Sequence, residues 1–110
     1  MPSYLRNEVV LVRYLFSDLS GSKVRPAVVV NAPHASQDVF IVPLTSKTSR
    51  LLTGEFMLGD GGAAGLNVSS AIKRGLYTLR QDLIVKTVGS LSGGDAKKLE
   101  SSLRGWLGLT

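Results

Sequence analysis

Cysteine is absent from this 110-residue sequence, which removes a disulfide framework, a thiolate nucleophile and every cysteine-based metal site. His34 is the single histidine. Histidine is the side chain whose charge ordinarily changes near neutral pH, which makes it a possible general acid or base. This one stands in the turn-like A-P-H-A-S-Q at 32–37 with no carboxylate or second ligand beside it, so it reads as an exposed turn residue. No run of apolar residues approaches the length of a membrane span. The start, M-P-S-Y-L-R-N-E-V-V, has no long apolar core followed by a small-residue cleavage site. The glycine-rich G-D-G-G-A-A-G at 59–65 lacks the G-x-x-x-x-G-K-[ST] spacing of a phosphate-binding loop and reads as a turn. Repeats, low-complexity segments and linkers are missing too. What remains is one soluble domain over residues 1–110, expected in the cytoplasm.

Thirteen Lys and Arg stand against eight Asp and Glu, a formal net charge of +5. That balance favours an acidic or polyanionic partner, nucleic acid first among them. A modest basic excess also serves solubility alone, and composition does not choose between the two.

Residues 8–16, E-V-V-L-V-R-Y-L-F, are dominated by β-branched and aromatic types and read as a strand buried on both faces. Residues 27–31, 39–44, 55–58, 68–79 and 83–88 read as further strands, with a turn at Arg80, Gln81 and Asp82. Pro43 marks a sheet edge or a bulge. At the C-terminal end Ser92 is a helix cap and Asp95 lies near the positive end of the helix dipole. Leu99, Leu103, Trp106 and Leu107 follow as a core-facing stripe. Short strands followed by one helix predict a mainly β, α+β domain: a small, strongly curved barrel or sheet capped by a helix.

The stretch S-G-S-K-V-R-P-A-V-V-V-N at 20–31 draws the eye for chemistry. Pro26 fixes its own φ and biases Arg25 toward extended backbone, at the expected hinge between a polar loop and a strand. A guanidinium held there can grip a phosphate with two parallel donors. An ordinary loop arginine beside a strand has the same local sequence. Thr45, Ser46, Lys47, Thr48, Ser49 and Arg50 place hydroxyls beside cations, which suits phosphate oxygens and equally suits a solvated loop. Lys73, Arg74 and Arg80 extend the basic surface.

Taken in order, E-V-V-L-V-R-Y-L-F-S-D-L-S-G-S-K-V-R-P-A-V-V-V, V-P-L-T-S, G-L-N-V-S-S-A-I-K, L-Y-T-L-R-Q-D-L-I and G-S-L-S-G-G-D resemble the MazF/PemK family of toxins from toxin–antitoxin pairs, over nearly the whole chain. The resemblance implies an SH3-like small β-barrel with helical additions, a homodimer, and metal-independent cleavage of single-stranded RNA with no cofactor. It also implies a cognate acidic antitoxin. Arg25 matches the family's catalytic arginine in R-P-A, and Thr45 its catalytic hydroxyl residue in P-x-T. Asp18, Ser20, Lys23, Ser46, Lys47, Ser70 and Lys73 are the expected substrate-binding residues around them. Two positions depart from the pattern: Asn7 precedes Glu8 where Gly is common, and Ser70 stands where some members carry Asp. Two rival expectations accompany this one, a non-catalytic toxin of the CcdB type that binds DNA gyrase and a catalytically silent barrel that binds RNA or a protein.

Overall fold

The computed structural model describes residues 4–15 and 22–109. Seven strands and one helix follow in the order β1 (Glu8–Leu15), β2 (Ser22–Val29), β3 (Asp38–Thr45), β4 (Phe56–Met57), β5 (Ala71–Ile72), β6 (Tyr77–Arg80), β7 (Ile84–Ser90) and α1 (Gly93–Leu107). A single 3-10 turn, Gln81–Leu83, joins β6 to β7. All strand pairs are antiparallel, in the order β4-β5-β3-β2-β1-β7, with β6 also on β3. The sheet curves in barrel-like fashion but does not close. The mainly β architecture with a C-terminal helix is therefore as the sequence predicts.

The alternating valines of β1 feed two separate cores, as strand periodicity requires. Val9 joins Val28, Val42, Leu44 and Ile72 in the layer beneath α1, where Leu99 is buried and Leu103 and Trp106 pack at the margin. Val10 and Val12 point the other way, against Ala27, Val29, Val39, Ile41 and Ile84. Leu107, expected in the helix stripe, is 52% exposed. It occupies the last turn of α1 and lines a surface hollow with Arg74, Gly75 and Leu76 instead of the core.

Two boundaries differ from expectation for reasons of pairing. Strand β2 begins at Ser22, because its ladder with β1 runs from Leu15↔Ser22 to Val9↔Val28. Arg25 is consequently a mid-strand residue opposite Val12, not a hinge at a strand mouth. Pro26 is tolerated there. The Val29 carbonyl accepts from Asn7 on the β1 side, so alternation turns the Pro26 nitrogen toward β3, one residue beyond the last β2–β3 pair at Ala27. The second difference is that residues 68–79 form two strands, not one. β3 has two partners along one side, β6 at residues 38–41 and β5 at 44–45. Pro43 sits in the gap between them. Its carbonyl accepts from the Lys73 N–H at 3.0 Å, so its missing donor faces the step between partners. Pro43 thus marks a change of partner in an interior strand, not a sheet edge.

Helix α1 starts as its sequence dictates. The Ser92 hydroxyl accepts from the Asp95 N–H at 3.2 Å, and Gly108 closes the far end in the left-handed region. Asp95 does more than complement the dipole. It is 2% exposed, and its carboxylate accepts from the backbone N–H of Gly59 at 2.9 Å and of Asp60 at 3.1 Å. The helix start thereby pins the glycine-rich loop, and that loop leads into residues 66–70.

Candidate functional site: a cationic double hollow

Two adjoining hollows open beside the middle of β2 and the end of β3. The first, about 580 Å³, runs between Arg25, Thr45 to Lys47 and the segment Leu66 to Val68, with Ser70 and Lys73 in its wall. The second, about 540 Å³, extends past Pro43 to Arg13, Tyr77, Leu79 and Leu83. Arg25, Leu44, Thr45 and Lys73 belong to both. Three of those four bring polar groups to the wall that the two hollows share: a guanidinium, a hydroxyl and an ammonium.

Each is placed by backbone pairing. Arg25 is exposed on β2, and among the described residues its Nη1 makes only a long 3.4 Å contact, with the neighbouring Val24 carbonyl. Thr45 ends β3, and its Oγ1 accepts from the Lys47 N–H at 3.0 Å, a hydroxyl turn that fixes Ser46 and Lys47 at the rim. Lys73 is anchored through its N–H on Pro43. Its neighbour Arg74 is held by Glu55, whose carboxylate accepts from the N–H of Arg74 at 2.8 Å and of Leu52 at 2.7 Å. Those backbone donors, Arg74 first, hold the Glu55 carboxyl below its ordinary value, with the nearby Lys73 and Arg74 charges adding to the effect. The Ser70 hydroxyl is 5% exposed and donates to the Val68 carbonyl at 3.0 Å, which commits its proton to shaping the segment.

Among the described residues lining the two hollows there are four cations, Arg13, Arg25, Lys47 and Lys73, and no carboxylate. A cleft of one sign with partly apolar walls concentrates anions. Donors of this kind suit phosphate oxygens.

Of the residues singled out from sequence, Arg25, Thr45, Ser46, Lys47, Ser70 and Lys73 come together in the first hollow. Lys23 does not. It is exposed on β2 opposite Tyr14, two residues before Arg25 along the strand, and lines neither hollow. Asp18 and Ser20 lie outside the described residues. His34 is exposed and ties its Nδ1 to Ser36, away from the cleft. Sequence reasoning missed Asn67, and it missed the second hollow with Arg13, Tyr77 and Thr78. An aromatic at Tyr77, four residues after Lys73 in a basic run, was the available signal. Aromatics interleaved with cations are a nucleic-acid pattern.

The fold recurs in known proteins. Residues 5–107 match the model of a family described as the PemK-like, MazF-like toxin of type II toxin–antitoxin systems. The chain belongs to that family. No match to curated protein sequences reaches significance. Among solved structures the chain is similar to a MazE–MazF complex from Deinococcus radiodurans, with a TM-score of 0.80, 16% identity and full coverage of both chains. It is similar to an endoribonuclease in complex with its cognate antitoxin from Mycobacterial species, with a TM-score of 0.77, 20% identity and 98% of each chain covered. Mycobacterium tuberculosis toxin MazF-mt6 superposes with a TM-score of 0.72 at 17% identity, over 94% of this chain and 98% of that one.

Proposed function

We propose that this protein is the toxin of a type II toxin–antitoxin pair and that it cuts single-stranded RNA at the wall shared by the two hollows. The observation that carries this reading is the grouping of Arg25, Thr45 and Lys73 on that wall, with cations and no carboxylate among the described lining residues. Family membership supports it, as does likeness to an endoribonuclease seen with its antitoxin.

In this reading the nucleophile is the RNA's own 2′-hydroxyl, already adjacent to the phosphorus it attacks. The 2′-oxygen forms a bond to phosphorus, the bond to the 5′-oxygen breaks, and a 2′,3′-cyclic phosphate remains. One proton leaves the 2′-oxygen and one reaches the departing 5′-oxygen. Arg25 follows the negative charge that grows on the non-bridging oxygens, the role in which a preorganised donor is worth most. Thr45 donates to a phosphate oxygen or orients the 2′-hydroxyl. Its own hydroxyl is a poor acid and base near neutral pH. Lys73, Lys47 and Ser46 hold flanking phosphates. Ser70 shapes the wall in place of binding substrate directly, given its bond to Val68. Nothing in this scheme requires a metal or cofactor.

The single domain acts in the cytoplasm as a homodimer, and its partner is an acidic antitoxin segment that lays carboxylates where RNA phosphates otherwise bind. The gyrase-binding alternative has less support, because Trp106 is spent within the fold. It is half-buried on the core, with its Nε1 donating to the Thr53 carbonyl at 3.0 Å.

The test is incubation of purified protein with mixed RNA in excess EDTA, followed by mapping of the ends. Cleavage that survives chelation and leaves 2′,3′-cyclic phosphate or its opened 3′-phosphate is expected, with all-DNA substrates inert. Efficient cutting of DNA, or complete dependence on a divalent ion, would overturn the mechanism. Salt should weaken both RNA and antitoxin binding, since exposed attraction is screened over about 8 Å at physiological ionic strength.

A further inference from the structure

The cleavage chemistry uses the shared wall and leaves the second hollow without a role. Its composition is divided. Pro43, Leu79 and Leu83 offer apolar surface, while Arg13, Arg25 and Lys73 stand around it as cations. An apolar wall suits the face of a base and not a phosphate; cations suit the phosphate and not the base face. Side by side they match one nucleotide, and a volume of about 540 Å³ lies within the range of roughly 300–1,000 Å³ typical of small-ligand sites.

Tyr77 is the residue that gives this hollow a specific capacity. It lies in β6 opposite Ile41, yet it is 53% exposed. Its ring is braced. A Cβ added to Gly75 would stand 2.9 Å from Tyr77 Cε2, 3.3 Å from Tyr77 Oη and 3.4 Å from Pro43 Cδ. The ring therefore lies against the bare Cα of Gly75 and beside Pro43, held in place with much of its surface open. Preorganised aromatic surface next to phosphate-binding cations is the arrangement by which proteins hold unpaired bases.

We propose that the second hollow is a nucleobase subsite, in which a base flanking the cleaved phosphodiester stacks on Tyr77. The proposal rests on the ribonuclease reading of the Arg25, Thr45 and Lys73 wall. Tyr77 is then a positioning residue. It seats the nucleotide so that its phosphate meets Arg25, and it tolerates more than one base because every base has a π-face.

The experiment uses an RNA oligonucleotide containing the mapped cut site, made non-cleavable by a 2′-O-methyl group there. It is prepared intact and with a single abasic nucleotide on either side of the cut. Binding is measured by fluorescence anisotropy for wild type, Tyr77→Ala, Tyr77→Phe and Gly75→Ala, alongside KM and kcat on cleavable RNA. One flanking abasic substitution should weaken wild-type binding on the order of 10- to 100-fold. Tyr77→Ala should lose a similar factor, mainly in KM, and be indifferent to that abasic site, the non-additivity that marks a direct contact. Tyr77→Phe should restore affinity by restoring the ring. Gly75→Ala, which pushes the ring aside without removing it, should fall between. If Tyr77→Ala fails to fold, the wild-type abasic scan and Gly75→Ala decide alone. Undiminished abasic sensitivity in folded Tyr77→Ala, with wild type still cutting RNA, would overturn the subsite and leave the nuclease standing. Wild type that neither binds nor cuts RNA would remove both. An acidic antitoxin peptide that needs Tyr77 when RNA does not would reassign the hollow to the antitoxin and overturn the subsite.

Discussion

Replacing Asp95 by alanine tests how the helix start supports the site. Its carboxylate serves two backbone donors, Gly59 N–H and Asp60 N–H; Gly59 also approaches the second oxygen at 3.0 Å and is counted once. A hydrogen bond to a charged group is worth about 1.5–3 kcal/mol, and a carboxylate in the first turn of a helix adds about 0.3–1 kcal/mol. Gly59 and Asp60 are themselves exposed, so water recovers part of what their N–H groups lose. The net cost is therefore about 2–4 kcal/mol, below the simple sum. For a domain of this size that is a fall in Tm of about 10–25 °C. Asp95→Asn keeps one acceptor oxygen and the shape, and should lose about half as much. Thermal melts by circular dichroism read the stability. Amide hydrogen exchange should show protection lost at Gly59 and Asp60 before the core strands open. Because this loop leads into Leu66 and Asn67 on the first hollow, KM for RNA should rise well below the melting temperature. A folded Asp95→Ala protein melting within about 1 °C of wild type would refute the assignment of Asp95 as the tie between helix and loop.

Arg25→Ala should lower kcat on the order of 10²- to 10³-fold while moving stability by no more than about 0.5 kcal/mol. The side chain is exposed and makes one long contact among the described residues, so wild-type turnover in the folded variant would show that the wall is not where cleavage occurs. Thr45→Ala should cost less in kcat, and a loss exceeding that of Arg25→Ala would reverse their proposed roles. Glu55 is held below its ordinary value in the folded chain, so its contribution to stability is complete above the unfolded value and disappears as pH falls through the folded one. The melting difference between wild type and Glu55→Gln should therefore be present at neutral pH and vanish at the acid end of the carboxylate range; a pH-independent difference would contradict this. Gly65→Ala should cost about 3 kcal/mol or more, because Gly65 has φ +76° and a Cβ there would collide with the Val88 carbonyl. Native-like melting of that variant would show that the loop can be moved at little cost.

Much of the scaffold was readable from local pattern. Period-two valines in 8–16 and 27–31 require two buried faces, and Val9 and Val10 do enter opposite cores. Ser92 followed three residues later by Asp95 announces a helix start because capping is a contact between near neighbours. Arg25 and Thr45 stood out through R-P-A and P-L-T, short motifs whose spacing along the chain survives folding. Once β2 and β3 pair, both residues reach the same wall.

What the chain alone left undecided depends on which distant segments pair and which way a strand faces. Residues 68–79 look continuous, yet β3 offers them two stretches separated by Pro43, so the segment must bend at Arg74 and Gly75. That bend brings Lys73 and Tyr77 to the cleft. Lys23 and Arg25 are two apart on one strand, and only Arg25, the nearer to the β2–β3 ladder that ends at Ala27, lines a hollow. Asp95 meets Gly59, 36 positions earlier, a contact no periodicity encodes. Propensity, capping and alternation act over a few residues and are written in the chain. Register and strand exchange come from burying two cores at once, and only the folded sheet decides them.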